Sequence, residues 1–381
     1  MKIVADQNIP ALSDLLSGAG TLSYFSERTP PKSLLENADA LLVRSVTDVD
    51  DALLRQAPKL KFVASATIGI EHIDTHALQS REIGFAHAPG ANAESVGEYV
   101  LCAVLDWLQR KTREPIEEID VAIVGAGHTG QAAGKKLQAL GLNVHYYDPP
   151  LCKKGVKFVH DHWQRVLTAD IISCHVPLTR DGDFPTRHLF ESTALQSLHS
   201  QQLLINASRG AVIDNGSLLE RVEQGQRPSL VLDVWENEPE ILTALVPYID
   251  IATPHIAGHS LEGKVGGAVM IVNALLEYFG INANKELSKV LPAVTWPQRE
   301  AAQFNSIEAL QAWAKNHFDL YSDDWLFRQH GLTPDGFDSL RRNYRKESPR
   351  REFINQVITC HNSAQYIQFL QLGFNARQLS K

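Results

Sequence analysis

Three segments of the sequence carry side chains that could move a proton and hold an anion. Arg209 lies in LINASRGAVID, Glu238 in LDVWENEP and His255 in TPHIAG. An imidazole titrates in the range that suits removal of a proton from a hydroxyl, and a neighbouring carboxylate would orient it. A guanidinium offers a planar fork of donors to a carboxylate and to an oxygen that becomes a carbonyl. Because most single histidines and glutamates are surface or capping groups, the prediction depends on the three residues meeting.

Each of these segments follows a predicted strand, at Leu203–Ala207, Ser229–Val234 and Ile249–Ala252. In a doubly wound sheet the carboxyl ends of the strands line the ligand crevice. We therefore expect the three side chains at one edge of a sheet.

A glycine-rich turn precedes these segments, in the run IDVAIVGAGHTG. Gly125 permits a tight turn, Gly127 lets the backbone approach a pyrophosphate, and Gly130 lets the following helix pack closely. His128 and Thr129 lie within this turn as further cofactor contacts, and the N-terminal N–H groups of the following helix would face the phosphates. The run predicts a dinucleotide site.

Asp148 closes the next apolar stretch, about twenty residues beyond the glycines. A carboxylate there accepts hydrogen bonds from the adenosine ribose hydroxyls and repels a 2′-phosphate, which favours NAD over NADP. With this cofactor, the predicted chemistry is transfer of a hydride from a carbinol carbon while His255 takes the hydroxyl proton.

The apolar pattern predicts an α/β protein with parallel sheets. Four strands precede the glycine turn, and six follow from Val121 to Ile251, the number in a full dinucleotide fold. Long helices are predicted over 92–110 and 261–279. Beyond residue 285 a tryptophan-rich, basic segment predicts a small α/β appendage with a strand at Ile358-Thr359.

Length and charge narrow the class of protein. The chain has 381 residues, enough for more than one core. Its net charge of −8 argues against nucleic acid or an acidic membrane as a main partner. The four cysteines have no metal-ligand spacing, and no apolar run has the length of a membrane span or the pattern of a signal peptide. We expect a cytoplasmic enzyme without a metal.

INASRGAVID, DVWENEP and PHIAG, in combination with GAGHTG, resemble the D-isomer-specific 2-hydroxyacid dehydrogenase family over residues 1 to about 285. The resemblance implies a Rossmann-type NAD-binding domain over 95–257 and a flavodoxin-like substrate domain over 1–94, completed by 258–285. It makes Arg209, Glu238 and His255 the catalytic set. The further cofactor contacts that it implies are Val176, Ala207, Ser208, Asp233 and Gly258.

Within the family, the chain is most similar to a member that acts on a small phosphorylated hydroxyacid. Arg44-Ser45, ATIGIEHID and the C-terminal FDSLRRNYRKESPRRE and LGFNA carry this similarity. It implies that 286–381 is a dimerisation domain in a homodimer, and that Ser45 and Thr67 hold substrate, with Arg44 adding charge. Close relatives often carry Tyr where this chain has His259, which could still donate to a phosphate. The alternatives are a dehydrogenase for another hydroxyacid, such as 3-phosphoglycerate, and a non-enzymatic NAD sensor.

Several other polar residues are interpreted as structural. We expect His175 to form a wall of the cofactor site, and Glu236 to be solvated. The spacing of His72, Asp74 and His76 resembles a metal site only superficially. The basic run is interpreted as a solvated face, with the alternative that Arg345 crosses a dimer interface to the phosphate; its members are Arg341, Arg342, Arg345, Lys346, Arg350 and Arg351.

Overall fold

The computed structural model describes residues 1–111, 115–225, 227–282 and 284–379. Its strands are β1 Lys2–Asp6, β2 Thr21–Phe25, β3 Ala40–Val43, β4 Phe62–Ser65, β5 Gly84–His87, β6 Asp120–Val124, β7 Asn143–Tyr147, β8 Val159–His160, β9 Ile171–Cys174, β10 Leu203–Asn206, β11 Ser229–Leu232, β12 Ile251–Ala252, β13 Arg299–Glu300, β14 Val357–Cys360 and β15 Asn375–Gln378.

The α-helices are α1 Leu12–Leu15, α2 Lys32–Leu35, α3 Asp51–Arg55, α4 Thr75–Ser80, α5 Ala93–Lys111, α6 His128–Ala139, α7 Pro149–Lys153, α8 Trp163–Leu167, α9 Ser192–Ser197, α10 Asn215–Glu223, α11 Leu261–Tyr278, α12 Ile307–His317, α13 Leu320–His330, α14 Pro334–Arg342 and α15 Ser363–Leu372. Short 3₁₀ helices cover Ile116–Glu118, Gly210–Val212, Thr243–Tyr248, Leu287–Lys289, Ala301–Phe304 and Phe353–Asn355.

The chain forms two compact units, and the first contains residues 1–92 and 260–293. Its five-stranded parallel sheet has the order β2-β1-β3-β4-β5. This is the flavodoxin-like order, as predicted. The apolar pattern does not predict β2, because this edge strand buries only Phe25 fully and so lacks an apolar run.

The second unit contains residues 93–259 and 294–381. Its main sheet is parallel, with the order β12-β11-β10-β9-β6-β7-β8. The order reverses between β6 and β9, as in a Rossmann fold, where ligands bind at such a switch point. The sheet has seven strands and not the predicted six, because β8 has only two residues and therefore shows no periodicity.

Two long helices lie within one residue of their predicted bounds, α5 in the second unit and α11 in the first. Helix α5 packs against α6, and Gly97 makes this approach possible. A Cβ on Gly97 would lie 2.9 Å from Cε of Lys136 and 3.1 Å from the backbone of Ala132.

The C-terminal segment has a parallel sheet of its own, with the order β13-β14-β15. The predicted strand at Ile358-Thr359 is part of β14. Trp313, Phe353 and Phe374 belong to the same apolar core as Val121 and Ile123 of β6. Residues 294–381 therefore fall within the second unit, whereas the sequence predicts a separate domain over 286–381. The three-domain division stays a prediction.

Candidate active site

The three glycines after β6 serve different purposes in the turn. Gly125 has a φ of 98°, and a Cβ there would lie 2.8 Å from the backbone of His175. A Cβ on Gly130 would overlap the carbonyl oxygen of Gly125, so the helix could not pack as it does. A Cβ on Gly127 would meet only open space. The fold needs the first and third glycines, whereas the second leaves room above the backbone for a ligand.

Helix α6 begins at this turn and directs its N-terminus toward that room. Gly127 is the N-cap, and the N–H of Gln131 donates to its carbonyl at 2.9 Å. The N–H groups before Gln131 point out of the helix end, where they can bind phosphate oxygens. His128 is exposed and Thr129 half-buried at this end. The turn fits a pyrophosphate.

Asp148 links the glycine turn to the end of β7. Its Oδ2 accepts from the N–H of Ala126 at 2.9 Å, and its Oδ1 accepts from the N–H of Leu151 at 3.0 Å. Each carboxylate oxygen can accept a second hydrogen bond. The half-buried carboxylate is therefore held in a fixed orientation and can still receive ribose hydroxyls.

The strand ends beside the glycine turn carry the other predicted cofactor contacts. His175 is buried, with its Nε2 2.9 Å from Oγ of Ser173, and burial lowers the pKa of His175 to about 3. A histidine that stays neutral in this place suits a wall better than a base. Val176 and Ala207 are half-buried beyond β9 and β10.

His255 and Glu238 form a direct pair in the second unit. They follow the neighbouring strands β12 and β11, and His255 Nδ1 lies 2.7 Å from Oε2 of Glu238. The other carboxylate oxygen, Oε1, accepts from the N–H of Trp235 at 2.7 Å. Burial acts to raise the pKa of Glu238, but His255 and the hydrogen bonds outweigh it, so this pKa is lowered. The carboxylate stays ionised and can fix the imidazole through Nδ1.

Asp233 holds the loop that carries His255. Its Oδ1 accepts from Oγ1 of Thr253 and from the N–H of Ile256, both at 2.7 Å, and its Oδ2 accepts from the N–H of Ala257 at 2.9 Å. Burial raises the pKa of this carboxyl group. His255 itself has a φ of 59°, which is uncommon for a residue other than glycine. The buried carboxylate thus fixes the loop, and the predicted contact of Asp233 with nicotinamide stays a prediction.

Arg209 is half-buried beyond β10, and its Nη1 donates to the carbonyl of Ser208 at 2.8 Å. Asn206, which the sequence analysis did not single out, holds this turn. Its Oδ1 accepts from Oγ of Ser208 at 2.8 Å, and its Nδ2 donates to the carbonyl of Arg209 at 3.0 Å. The sequence signal for this role was an asparagine at a strand end, inside INASRGAVID.

Gly210 brings the Arg209 turn against the loop of Glu238. A Cβ on Gly210 would overlap the backbone of Trp235 and Glu236. Arg209, Glu238 and His255 follow the adjacent strands β10, β11 and β12, so all three leave the sheet at the same edge.

The predicted substrate residues of the first unit also leave adjacent strands at one edge. Val43 of β3 is in register with Ser65 of β4, so Ser45 and Thr67 follow equivalent positions. Ser45 is exposed and Arg44 half-buried. Thr67 Oγ1 lies 2.6 Å from Oγ of Ser65 and donates to the carbonyl of Gly69 at 3.0 Å.

The metal-like spacing near Thr67 is explained by other contacts. His72 Nε2 lies 2.9 Å from Oγ of Ser65, and Asp74 caps α4 through the N–H of Ala77.

Among the described residues, one group has ligand atoms within 4.8 Å of one another: His188, Asp214 and Glu236. Glu236 accepts from His188 Nε2 at 2.8 Å and is half-buried, so the prediction that it is solvated was wrong. The prediction of no metal stays a prediction.

The basic run is not one solvated face. Arg350 is buried and paired with Glu98 at 2.8 Å, and Arg345 pairs with Asp323 of its own chain at 3.4 Å. The prediction of a solvated face was wrong for Arg350 because the residue packs into the second unit.

Gly258 and His259 are half-buried, and the His259 ring lies 5.8 Å from that of Tyr344.

No helix in the described ranges is long and apolar enough to cross a membrane. All four cysteines are free thiols.

Comparison with known proteins identifies the chain's relatives. A model of the NAD-binding domain of D-isomer-specific 2-hydroxyacid dehydrogenases matches residues 102–257, and a domain family of unknown function matches 290–373. The erythronate-4-phosphate dehydrogenase of Idiomarina loihiensis is 81% identical over 381 residues, which cover all of both chains. That of Psychromonas ingrahamii is 43% identical over 376 residues, covering 98% of this chain and 97% of the relative.

Solved structures agree in fold. A D-lactate dehydrogenase from Aquifex aeolicus, complexed with NAD and lactic acid, has a TM-score of 0.58 and 22% identity, covering 73% of this chain and 96% of its own. The NAD⁺-bound 3-phosphoglycerate dehydrogenase of Entamoeba histolytica has a TM-score of 0.61 and 20% identity, covering 75% and 97%. The family resemblance is confirmed: the chain belongs to the D-isomer-specific 2-hydroxyacid dehydrogenases, in the group of erythronate-4-phosphate dehydrogenases, and is an NAD-dependent oxidoreductase.

Proposed function

We propose that the protein oxidises 4-phospho-D-erythronate to 2-oxo-3-hydroxy-4-phosphobutanoate with NAD, in the biosynthesis of pyridoxal 5′-phosphate. The substrate is that of the full-length relatives by their name. The structural observation that carries the proposal is the pair of His255 Nδ1 and Glu238 Oε2 at 2.7 Å. It supplies an oriented base at the end of the sheet that also carries the glycine turn.

His255 and Arg209 would divide the work on the hydroxyacid. Because Glu238 accepts from Nδ1–H, the lone pair of Nε2 can take the proton of the C2 hydroxyl. As the O–H bond breaks, the C–O bond becomes a carbonyl and the C2 hydrogen leaves with its electron pair. Bound NAD supplies the nicotinamide that accepts this hydride. Arg209 would bind the C1 carboxylate and the new carbonyl oxygen.

In the first unit, Ser45 and Thr67 are the proposed substrate contacts, with Arg44 adding positive charge. Their hydroxyls follow adjacent strands, a placement that suits a phosphate or a polyol. In the second unit, His259 is proposed as a further donor. Gly258 would contact the cofactor in the same loop.

The alternatives differ in what the Glu238 and His255 pair would do. A dehydrogenase for 3-phosphoglycerate would use the same pair on another acid. A non-enzymatic NAD sensor would need the glycine turn and Asp148 but no oriented base. The tight pair therefore favours an enzyme over a sensor.

Deuterium transfer tests the proposed reaction. The substrate is 4-phospho-D-erythronate with deuterium at C2, and the oxo acid is trapped as a hydrazone because the oxidation is uphill. We expect equal amounts of hydrazone and of NADH that carries the deuterium. NAD binding without either product would refute the proposed reaction and favour the sensor.

We further propose a cytoplasmic homodimer assembled through the C-terminal segment. Large apolar side chains of this segment are exposed, including Trp325, Ile354, Ile367 and Leu370. These side chains are the proposed contacts of the interface, where they would lose their exposure to water. The four free thiols suit a reducing compartment. Sedimentation equilibrium should give twice the chain mass of 42.3 kDa, and a lower mass for Trp325→Glu; a monomeric wild type would refute the dimer.

A further inference from the structure

Arg350 of the C-terminal segment reaches the loop that follows His255. Its Nε donates to the carbonyl of His259 at 3.1 Å, and its Nη2 donates to the carbonyl of Ala257 at 3.3 Å. Nη2 also lies 3.3 Å from the carbonyl of Ser95 at the start of α5. One guanidinium therefore joins the loop to a helix of the same unit.

The guanidinium is itself held from several sides. Its Nη1 donates to Oε2 of Glu98 at 2.8 Å, and its Cζ lies 4.1 Å from the centroid of the Phe318 ring. The other Glu98 oxygen accepts from the N–H of Phe353 at 2.7 Å. Because the Arg350 side chain is fully buried, its planar donors have a fixed direction.

Asp233 and Arg350 hold the same loop through opposite backbone groups. The Asp233 carboxylate accepts from the N–H groups of Ile256 and Ala257. The Arg350 guanidinium donates to the carbonyls of Ala257 and His259. An anion and a cation thus fix the segment that begins one residue after His255.

We propose that Arg350 is a positioning residue for the reaction, through which the C-terminal segment fixes the loop of His255. This gives the matched domain of unknown function a part in turnover besides assembly. The inference rests on the proposed function, since it assumes that His255 is the base. A small displacement of a catalytic group costs up to about 100-fold in rate, so the clamp has a measurable effect.

Arg350→Lys is the test variant, in the full chain. A lysine keeps the positive charge beside Glu98, but it cannot span the carboxylate and the separate carbonyls as the guanidinium does. A second variant, Glu98→Gln with Arg350→Met, removes both charges together and so avoids a lone buried carboxylate.

Arg328→Lys is the matched control. Arg328 also lies in the C-terminal segment and donates to backbone carbonyls of the second unit, those of Val246 and Ile249, at 2.8 and 2.7 Å. A lysine keeps the positive charge beside Asp324, which accepts from the N–H of Ala252, so the change should lower stability without freeing the loop of His255. The measurements are Tm, the Kd of NADH, kcat, and hydrogen exchange of peptide 253–260.

We expect Arg350→Lys to lower kcat about tenfold or more, to change the Kd of NADH less than about threefold, and to speed exchange in peptide 253–260. Arg328→Lys should leave kcat, the Kd of NADH and the exchange rate of peptide 253–260 at their wild-type values, whatever its Tm. Equal kcat and equal exchange in Arg350→Lys and in the Arg328 control would overturn the inference. Hydrogen exchange needs no turnover, so it judges the clamp even if the wild type oxidises no hydroxyacid, an outcome that would instead refute the proposed function.

Discussion

Replacing Glu238 with glutamine should disable the base while leaving the fold intact. The carboxylate accepts from two donors, Trp235 N–H at Oε1 and His255 Nδ1–H at Oε2. A glutamine has one oxygen and one NH₂ group, so one of the two donors must face another donor. If the NH₂ faces His255, the imidazole carries its proton on Nε2 and cannot accept one from the hydroxyl.

The size of the effect follows from these two hydrogen bonds. To return the imidazole proton to Nδ1, the introduced amide must turn its oxygen toward His255, so that its NH₂ group faces the N–H of Trp235. The buried donor that this leaves unsatisfied costs about 1–3 kcal/mol. Loss of the charged hydrogen bond to the imidazolium adds about 1.5–3 kcal/mol. Together they raise the barrier by about 2.5–6 kcal/mol, so kcat should fall about 10²- to 10⁴-fold.

Glu236→Gln is the matched control for this assay. Glu236 lies two residues away and accepts from His188, so it belongs to a different pair. We expect its kcat within about threefold of wild type and the Kd of NADH unchanged in both variants. Equal kcat in Glu238→Gln and wild type would refute the assignment of Glu238 and His255 as the proton-transfer pair.

Three further predictions concern the cofactor site and pH. Asp148→Asn should narrow the kcat/KM preference for NAD over NADP about fivefold or more, since it removes a repulsion of about 1–4 kcal/mol per charge pair; an unchanged ratio would contradict this. Gly127→Ala should weaken NADH binding at constant Tm because its Cβ meets open space, whereas Gly130→Ala should lower Tm because its Cβ overlaps backbone. Because folding lowers the pKa of Glu238, its ionised carboxylate stabilises the folded protein at pH values above 4.5, the ordinary pKa of the group. This stabilisation is lost as the pH falls through the pKa of the folded protein. Urea unfolding should therefore show a stability gap between wild type and Glu238→Gln that narrows in acid.

Local patterns were sufficient to predict the sheets and the cofactor turn. Parallel strands bury both faces and read as apolar runs, so the long strands were visible. The glycines act within one turn, and Asp148 follows them after one helix and one strand, so their spacing carries the geometry. Strands β2 and β8 lie at sheet edges and show no pattern, because β2 buries little of its length and β8 has only two residues.

Contacts between distant segments could not be predicted in this way. Arg350 lies in a run of basic residues that is typical of a solvated face, yet its partner Glu98 lies 252 residues earlier. Likewise, the motif around Asp233 does not show that Thr253 and two backbone N–H groups occupy its carboxylate. Such pairings depend on which helices and loops pack together, and local patterns of residues do not show this.

The most direct test compares kcat/KM for three acids in parallel, with NAD and a trap for the oxo product. The acids are 4-phospho-D-erythronate, unphosphorylated D-erythronate and 3-phosphoglycerate. The account predicts efficient NADH formation from the first and little from the other two. Preference for 3-phosphoglycerate, or equal use of the unphosphorylated acid, would contradict it.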